Sequence, residues 1–163
     1  MGISDLTHPE QGDSLIEYRV PWQDEHLSRP QSIDFLFSQA VLEHVNDVAA
    51  TYRACSLWLR ANCVMSHAID FESHGLASTW DGHWHYADLT WRLVRGRREY
   101  LINRLPLAGH TSVLERAHFE VVALERSECE PTFTAKGLAP RFRGMAIPDR
   151  RTKAAFVVAR RIS

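Results

Sequence analysis

Ile33-Asp34-Phe35-Leu36-Phe37-Ser38-Gln39-Ala40-Val41-Leu42-Glu43-His44-Val45 is the stretch from which the rest of the chain can be placed. Its first five residues form a compact apolar run, the type found in buried parallel strands. Small and polar residues follow at once and end the strand in a turn. Asn46 or Asp47 can then cap a helix reaching to about Arg60, because Val48, Ala49, Tyr52, Cys55, Ser56 and Leu59 share one face at three-and-four spacing. Asn62 stands where a left-handed turn residue is wanted, and Cys63-Val64-Met65-Ser66 opens a second apolar strand.

Outward from this unit the signals thin. Upstream, residues 1–14 are a polar tail, and Leu15 to Val20 alternate apolar and charged residues as a short strand does before Pro21. Downstream, Phe71 to Arg98 is aromatic, His-rich and irregular. Ser112-Val113-Leu114-Glu115 reads as a capping box opening a short helix to about Ala117. Phe119 to Leu124 and Ala155 to Ala159 are strands, separated by a long segment carrying Pro131, Pro140 and Pro148. Strands alternating with helices predict an α/β domain with a largely parallel sheet. In such sheets function collects beyond the carboxyl ends of the strands, at Ser38–His44, at His67–His74 and after Val20.

Composition narrows the class. The chain has 163 residues, 45% hydrophobic and 24% charged, enough to bury a core without disulfides or a metal. Three cysteines with no CxxC pair read as reduced thiols of a cytoplasmic protein. No apolar run approaches the ~18 residues of a membrane span. A disulfide scaffold, a zinc ribbon, a disordered chain and a membrane protein are excluded. The net charge of −1 hides a gradient, from −7 over residues 1–50 to +5 over residues 101–163. The basic residues of the last third never exceed two in a row and have few aromatics between them, so nucleic acid is not the expected partner.

Ser38-Gln39-Ala40-Val41-Leu42-Glu43-His44-Val45, directly after its strand, resembles the fourth-strand motif of class I S-adenosylmethionine-dependent methyltransferases. The order of the later strands fits that superfamily, including a closing antiparallel pair. Ser66 to Asp70, His74 and Asn103-Arg104-Leu105 are similar to a bacterial branch acting on small molecules or saccharide precursors. Three departures stand against the family pattern. Its Pro-Gly-Gly turn is Ala61-Asn62-Cys63 here, and its Gly-Phe before the sixth strand is His118-Phe119. Its Gly-rich loop has no counterpart, since there is no GxGxG in the sequence, and the acidic residue ending the second strand is also lacking. The resemblance therefore implies the C-terminal part of a partial Rossmann-like sheet, with residues 15–163 as an incomplete methyltransferase domain whose first two strands are missing. Leu15–Val20 should then be displaced or re-paired.

The resemblance also implies roles. S-adenosylmethionine would be the cofactor of the intact enzyme, with Ser38, Gln39 and Ala40 beside its methionine end, Pro21-Trp22 near its adenine, and His44 also among the residues that would bind it. Glu43 and His44 belong to the motif; bonding across the helix start is the ordinary role for the pair, and direct proton transfer is the alternative for His44. His67, Asp70 and His74 are the candidate catalytic residues, an imidazole oriented by a carboxylate being able to take the acceptor's proton near neutral pH. Trp80, Trp84, Tyr86 and Trp91 suit either an acceptor wall for a ring such as a sugar or core packing around an insertion. Asn103 and Arg104 are candidates for holding the small-molecule acceptor. A metal site of His67, Asp70 and His74 with His83 and His85 matches no zinc spacing, and no metal is expected there. The competing reading is a non-catalytic fragment or subunit that pairs with a protein partner, or with itself, through an unpaired sheet edge.

Overall fold

The computed structural model of the protein describes residues 28–162. The expected strand Leu15–Val20 and the candidates Pro21 and Trp22 lie outside the described residues. The deciding stretch forms its strand and turn, but the strand is not buried. Strand β1 spans Ile33–Gln39, two residues longer than its apolar run, and is followed by a 3-10 turn at Leu42–His44. It pairs in parallel with one neighbour among the described residues and leaves Phe35 and Phe37 exposed. Helix α1 (Val48–Trp58) begins at Asp47, whose carboxylate accepts from Ala50 N at 2.8 Å. A cap of this kind contributes about 1 kcal/mol. The helix runs straight into strand β2 (Leu59–Asp70). Asn62 does take a positive φ of 64°, but inside the strand, where the β1–β2 register jumps between Ile33 and Phe35.

Helix α2 (Asp88–Arg95) lies in the irregular aromatic region, and helix α3 (Leu107–Arg116) starts five residues before the expected capping box. The reason is a cap borrowed from far along the chain: Asp149 Oδ1 accepts from Ala108 N at 3.0 Å. Ser112 instead accepts from Arg116 one turn later. Strand β3 (Phe119–Glu128), the short helix α4 (Ile147–Arg151) and strand β4 (Thr152–Arg161) complete the chain. His118 enters β3 with φ 63°, so the expected turn forms without its glycine.

The sheet order is β1-β2-β4-β3, with β1 and β2 parallel and β4 antiparallel to both its neighbours. Met65, His67 and Ile69 of β2 and Ala155, Val157 and Ala159 of β4 point to one face, where Tyr52 and Cys55 of α1 and Leu107 and Leu114 of α3 cover them. On the other face Phe35 is 53% and Phe37 72% exposed, and β1 is the outer strand of the sheet among the described residues. No helix among the described residues is long and apolar enough to cross a membrane. The topology brings the carboxyl ends of β1 and β2 together, with Ser38 opposite His67 and Gln39 opposite Ala68.

Candidate functional site

The turn after β1 is held from both sides. Ala40 adopts φ 51° and donates its N–H to Ala68 O at 3.0 Å, tying the ends of the two parallel strands. Asn103 clamps the 3-10 turn: its Nδ2 donates to Leu42 O at 2.7 Å and Val45 O at 3.0 Å, and its backbone N–H donates to Glu43 O at 2.7 Å. Leu42 and Val45 anchor the turn in the core. Glu43 is forced inward between them, 3% exposed, and neither carboxylate oxygen has a hydrogen-bond partner among the described residues. Burial raises its pKa above the ordinary carboxylate value.

His44 pairs its Nδ1 with Tyr100 O at 2.8 Å. Beyond the end of β2, Asp70 Oδ1 accepts from Glu72 N, while Asp70 Oδ2 lies 3.5 Å from His74 Nε2. His74 sits on a left-handed backbone, φ 50°, which aims its ring back toward His44 at a centroid distance of 5.1 Å. Glu43, His44, Asp70 and His74 thus converge at the carboxyl ends of the two parallel strands. Glu43 is the member that sequence reasoning assigned to structure alone. Its signal is present in Leu42-Glu43-His44-Val45, where the acid falls between the two apolar residues that anchor the turn.

His67 does not join this group. Three residues before Asp70 on the same strand, it faces the opposite side of β2 and is 1% exposed. Ser38 Oγ bonds its Nδ1 at 2.8 Å, and burial lowers its pKa to about 4. His67 and Ser38 line a cavity of about 480 Å³ between β1 and α1, with Leu42, Val45, Asn46 and Asp47 at its rim. A second cavity of about 530 Å³ lies on the open sheet face and is lined by Gln39, Ala40, Ala68, Asp70, Lys153 and Phe156. Both volumes are in the range of small-molecule sites.

The aromatic residues and Arg104 gather elsewhere, in a buried knot. Arg104 donates from Nη1 to His83 O and Tyr86 O and from Nη2 to Asp88 Oδ1, and its guanidinium lies 4.6 Å from the Trp91 ring. Trp84 is 1% exposed and donates its indole N–H to Arg104 O. Trp80 meets Trp84 edge to face and donates to Glu130 O; Tyr86 donates its hydroxyl to Leu76 O. Of the residues expected to meet an acceptor, Asn103 alone touches the convergent group, as the clamp on its turn.

No family model matches the sequence, and no curated protein matches it. Solved structures do. A SAM-dependent methyltransferase from Methanosarcina mazei superposes with a TM-score of 0.55 at 12% identity, covering 83% of this chain and 62% of that one. A chain from the complex between the Haloferax volcanii Trm112 methyltransferase activator and a methyltransferase superposes at 0.50 with 10% identity, covering 83% and 57%. This chain therefore spans less than two thirds of the length of either. With antiparallel β4 inserted between β2 and β3, and the Ser38-to-Val45 turn at the end of parallel strand β1, the chain is thus an α/β protein with the class I SAM-dependent methyltransferase fold.

Proposed function

We propose that this chain is the C-terminal portion of an S-adenosylmethionine-dependent methyltransferase acting on a small molecule, a saccharide or cell-surface precursor being the class suggested by its resemblance. The observation that carries the reading is the position of the Ser38–Val45 turn: at the carboxyl end of a parallel strand, bonded to its neighbour through Ala40, and beside a carboxylate–imidazole pair. Bound S-adenosylmethionine supplies a methyl group activated on a sulfonium. The residues present fit part of such a ligand, since Gln39 and Ala40 line a cavity of about 530 Å³. No Gly-rich loop is in the sequence to complete the grip. Pro21 and Trp22 remain the candidates for the adenine.

Methyl transfer to oxygen or nitrogen requires an aligned acceptor and removal of its proton. His74 is the better base of the two candidates, because it is accessible and has Asp70 Oδ2 at 3.5 Å to orient it and balance its charge. His67, buried and bonded to Ser38, positions the turn instead. Trp80, Trp84, Tyr86 and Arg104 act behind the acceptor region by fixing the loop that carries Asn103. The outer strand β1, with Phe35 and Phe37 exposed, favours a second reading: a non-catalytic subunit that pairs through this edge with a protein supplying the rest of the sheet. The activator present in the Haloferax complex is consistent with partner-dependent members of the fold.

Calorimetric titration of the whole chain with S-adenosylhomocysteine separates the two. Saturable one-to-one binding is expected. Absence of heat up to millimolar ligand overturns cofactor binding by this chain and leaves the pairing subunit.

A further inference from the structure

Glu43, His44 and His74 each offer one ligand atom within 4.8 Å of the others. Their chemistry is that of a cation site and not of an acidic surface. Two imidazoles and one carboxylate are the donors, and the carboxylate is the buried member. Glu43 is 3% exposed, and both its oxygens lack a hydrogen-bond partner among the described residues. A desolvated carboxylate without a partner is costly unless a cation or a proton neutralises it.

The surrounding groups set the two imidazoles for the same task. Tyr100 O faces His44 Nδ1 at 2.8 Å, so Nδ1 carries the proton and Nε2 keeps its lone pair. A backbone carbonyl behind the distal nitrogen is the usual support of a metal-bound histidine. Asp70, 3.5 Å from His74, is the matching support on the other side. Tyr100 and His74 both hold positive φ angles, 58° and 50°, which is what brings their groups inward across the turn.

We infer that Glu43, His44 and His74 form a binding site for a first-row divalent cation, of the zinc or cobalt class. One carboxylate oxygen and two imidazole nitrogens favour such ions over calcium or magnesium, which take mostly oxygen ligands. A tetrahedral ion at about 2.1 Å from its ligands sets them roughly 3.4 Å apart. His74, on the solvent side, is the ring able to close the remaining gap. Three protein ligands leave a fourth position toward solvent for water or another oxygen. The ion neutralises Glu43 and locks the turn after β1 to the turn after β2. The site stands on its own geometry and does not depend on the methyltransferase reading. With the ion bound, the free ring nitrogen of His74 is taken by the metal, so ligand and base are alternative states of this ring.

Cobalt titration of the whole metal-stripped chain, followed by the visible ligand-field band, tests it. One equivalent is expected to saturate a low-symmetry Co²⁺ band, which one equivalent of Zn²⁺ then bleaches. Glu43→Gln and His74→Asn are each expected to weaken binding on the order of 100-fold. Both suit their positions: glutamine is isosteric, and asparagine tolerates the positive φ of His74. His118→Asn, a left-handed residue outside the cluster, is expected to bind as the parent does. Folding of each variant is checked by thermal unfolding without metal, and Zn²⁺ should raise the midpoint of the parent and of His118→Asn only. No band at stoichiometric cobalt overturns the site. So does a band that survives in both Glu43→Gln and His74→Asn, or a strong near-ultraviolet thiolate transition showing that Cys63 or Cys129 holds the ion.

Discussion

Lowering the pH from 7 to 5 is expected to remove about 6 kcal/mol of folding free energy, enough to unfold a domain whose total is about 5–15 kcal/mol. Three imidazoles are responsible. His67, His83 and His110 are each no more than 1% exposed, and burial lowers their pKa values to about 4, about 3 and about 3. His67 meets Ser38, His110 meets the Tyr52 hydroxyl at 3.1 Å, and His83 stacks obliquely on Trp84. All three are neutral in the folded chain throughout this range, whereas in the unfolded chain they take a proton near the ordinary pKa of about 6.5. The unfolded state therefore binds more protons, and stability is fully present above that pH. It is lost as pH falls toward the folded values, at up to about 1.4 kcal/mol per pH unit for each histidine.

Glu43 acts with the opposite sign, because its raised pKa favours the folded state as acid is added, but it is one group against three. Urea unfolding between pH 7.5 and pH 5 measures the slope. His83→Gln should reduce it by about a third. A stability independent of pH across that interval contradicts the burial of these rings.

Replacing Arg104 by methionine is expected to cost about 3–4 kcal/mol and to lower the melting temperature by about 10 °C. Methionine keeps the buried stem but strips every donor. The carbonyls of His83 at 3.1 Å and Tyr86 at 2.7 Å then lose their partner inside the protein, at roughly 1–3 kcal/mol each. The contact with the Trp91 face is lost as well. Asp88 is exposed and keeps its contact with Arg141 Nη1 at 3.3 Å, so the ion pair with Arg104 itself contributes little. Arg104→Lys should recover less than half of the loss, since one ammonium cannot span two carbonyls and an aromatic face. Because Asn103 is the neighbouring residue and clamps the Leu42–Val45 turn, both substitutions should also loosen Glu43. Thermal unfolding reads the first effect. A loss below about 1 kcal/mol would show that the loop holds its shape without the guanidinium.

What the sequence made legible follows from how local each signal is. Ile33–Phe37, the Asp47 cap and the apolar face of α1 lie within some twenty-five residues of one another, and their strand–helix–strand unit is where the structure puts it. Helix α3 was misplaced because its cap, Asp149, comes from 41 residues away. Separations of 21 and 18 residues hide the role of Arg104 in the same way: the carbonyls it holds belong to a loop whose path no local pattern sets. At the site, the periodicity of a strand already separates His67 from Asp70, since residues three apart point to opposite faces. The pairing of Glu43 with His74 required two positive-φ residues, Ala40 and His74, that no propensity would place there.

The most direct test of the central claim, that the carboxyl ends of β1 and β2 are the working end of the molecule, is amide chemical-shift mapping with S-adenosylhomocysteine. At 18.7 kDa the chain is well suited to it. Shifts concentrated in Ser38–His44 and Ala68–His74 are expected, including the Ala40 amide that bridges the two strands. Shifts confined to β3 and the far end of the sheet, or none at saturating ligand, would contradict it.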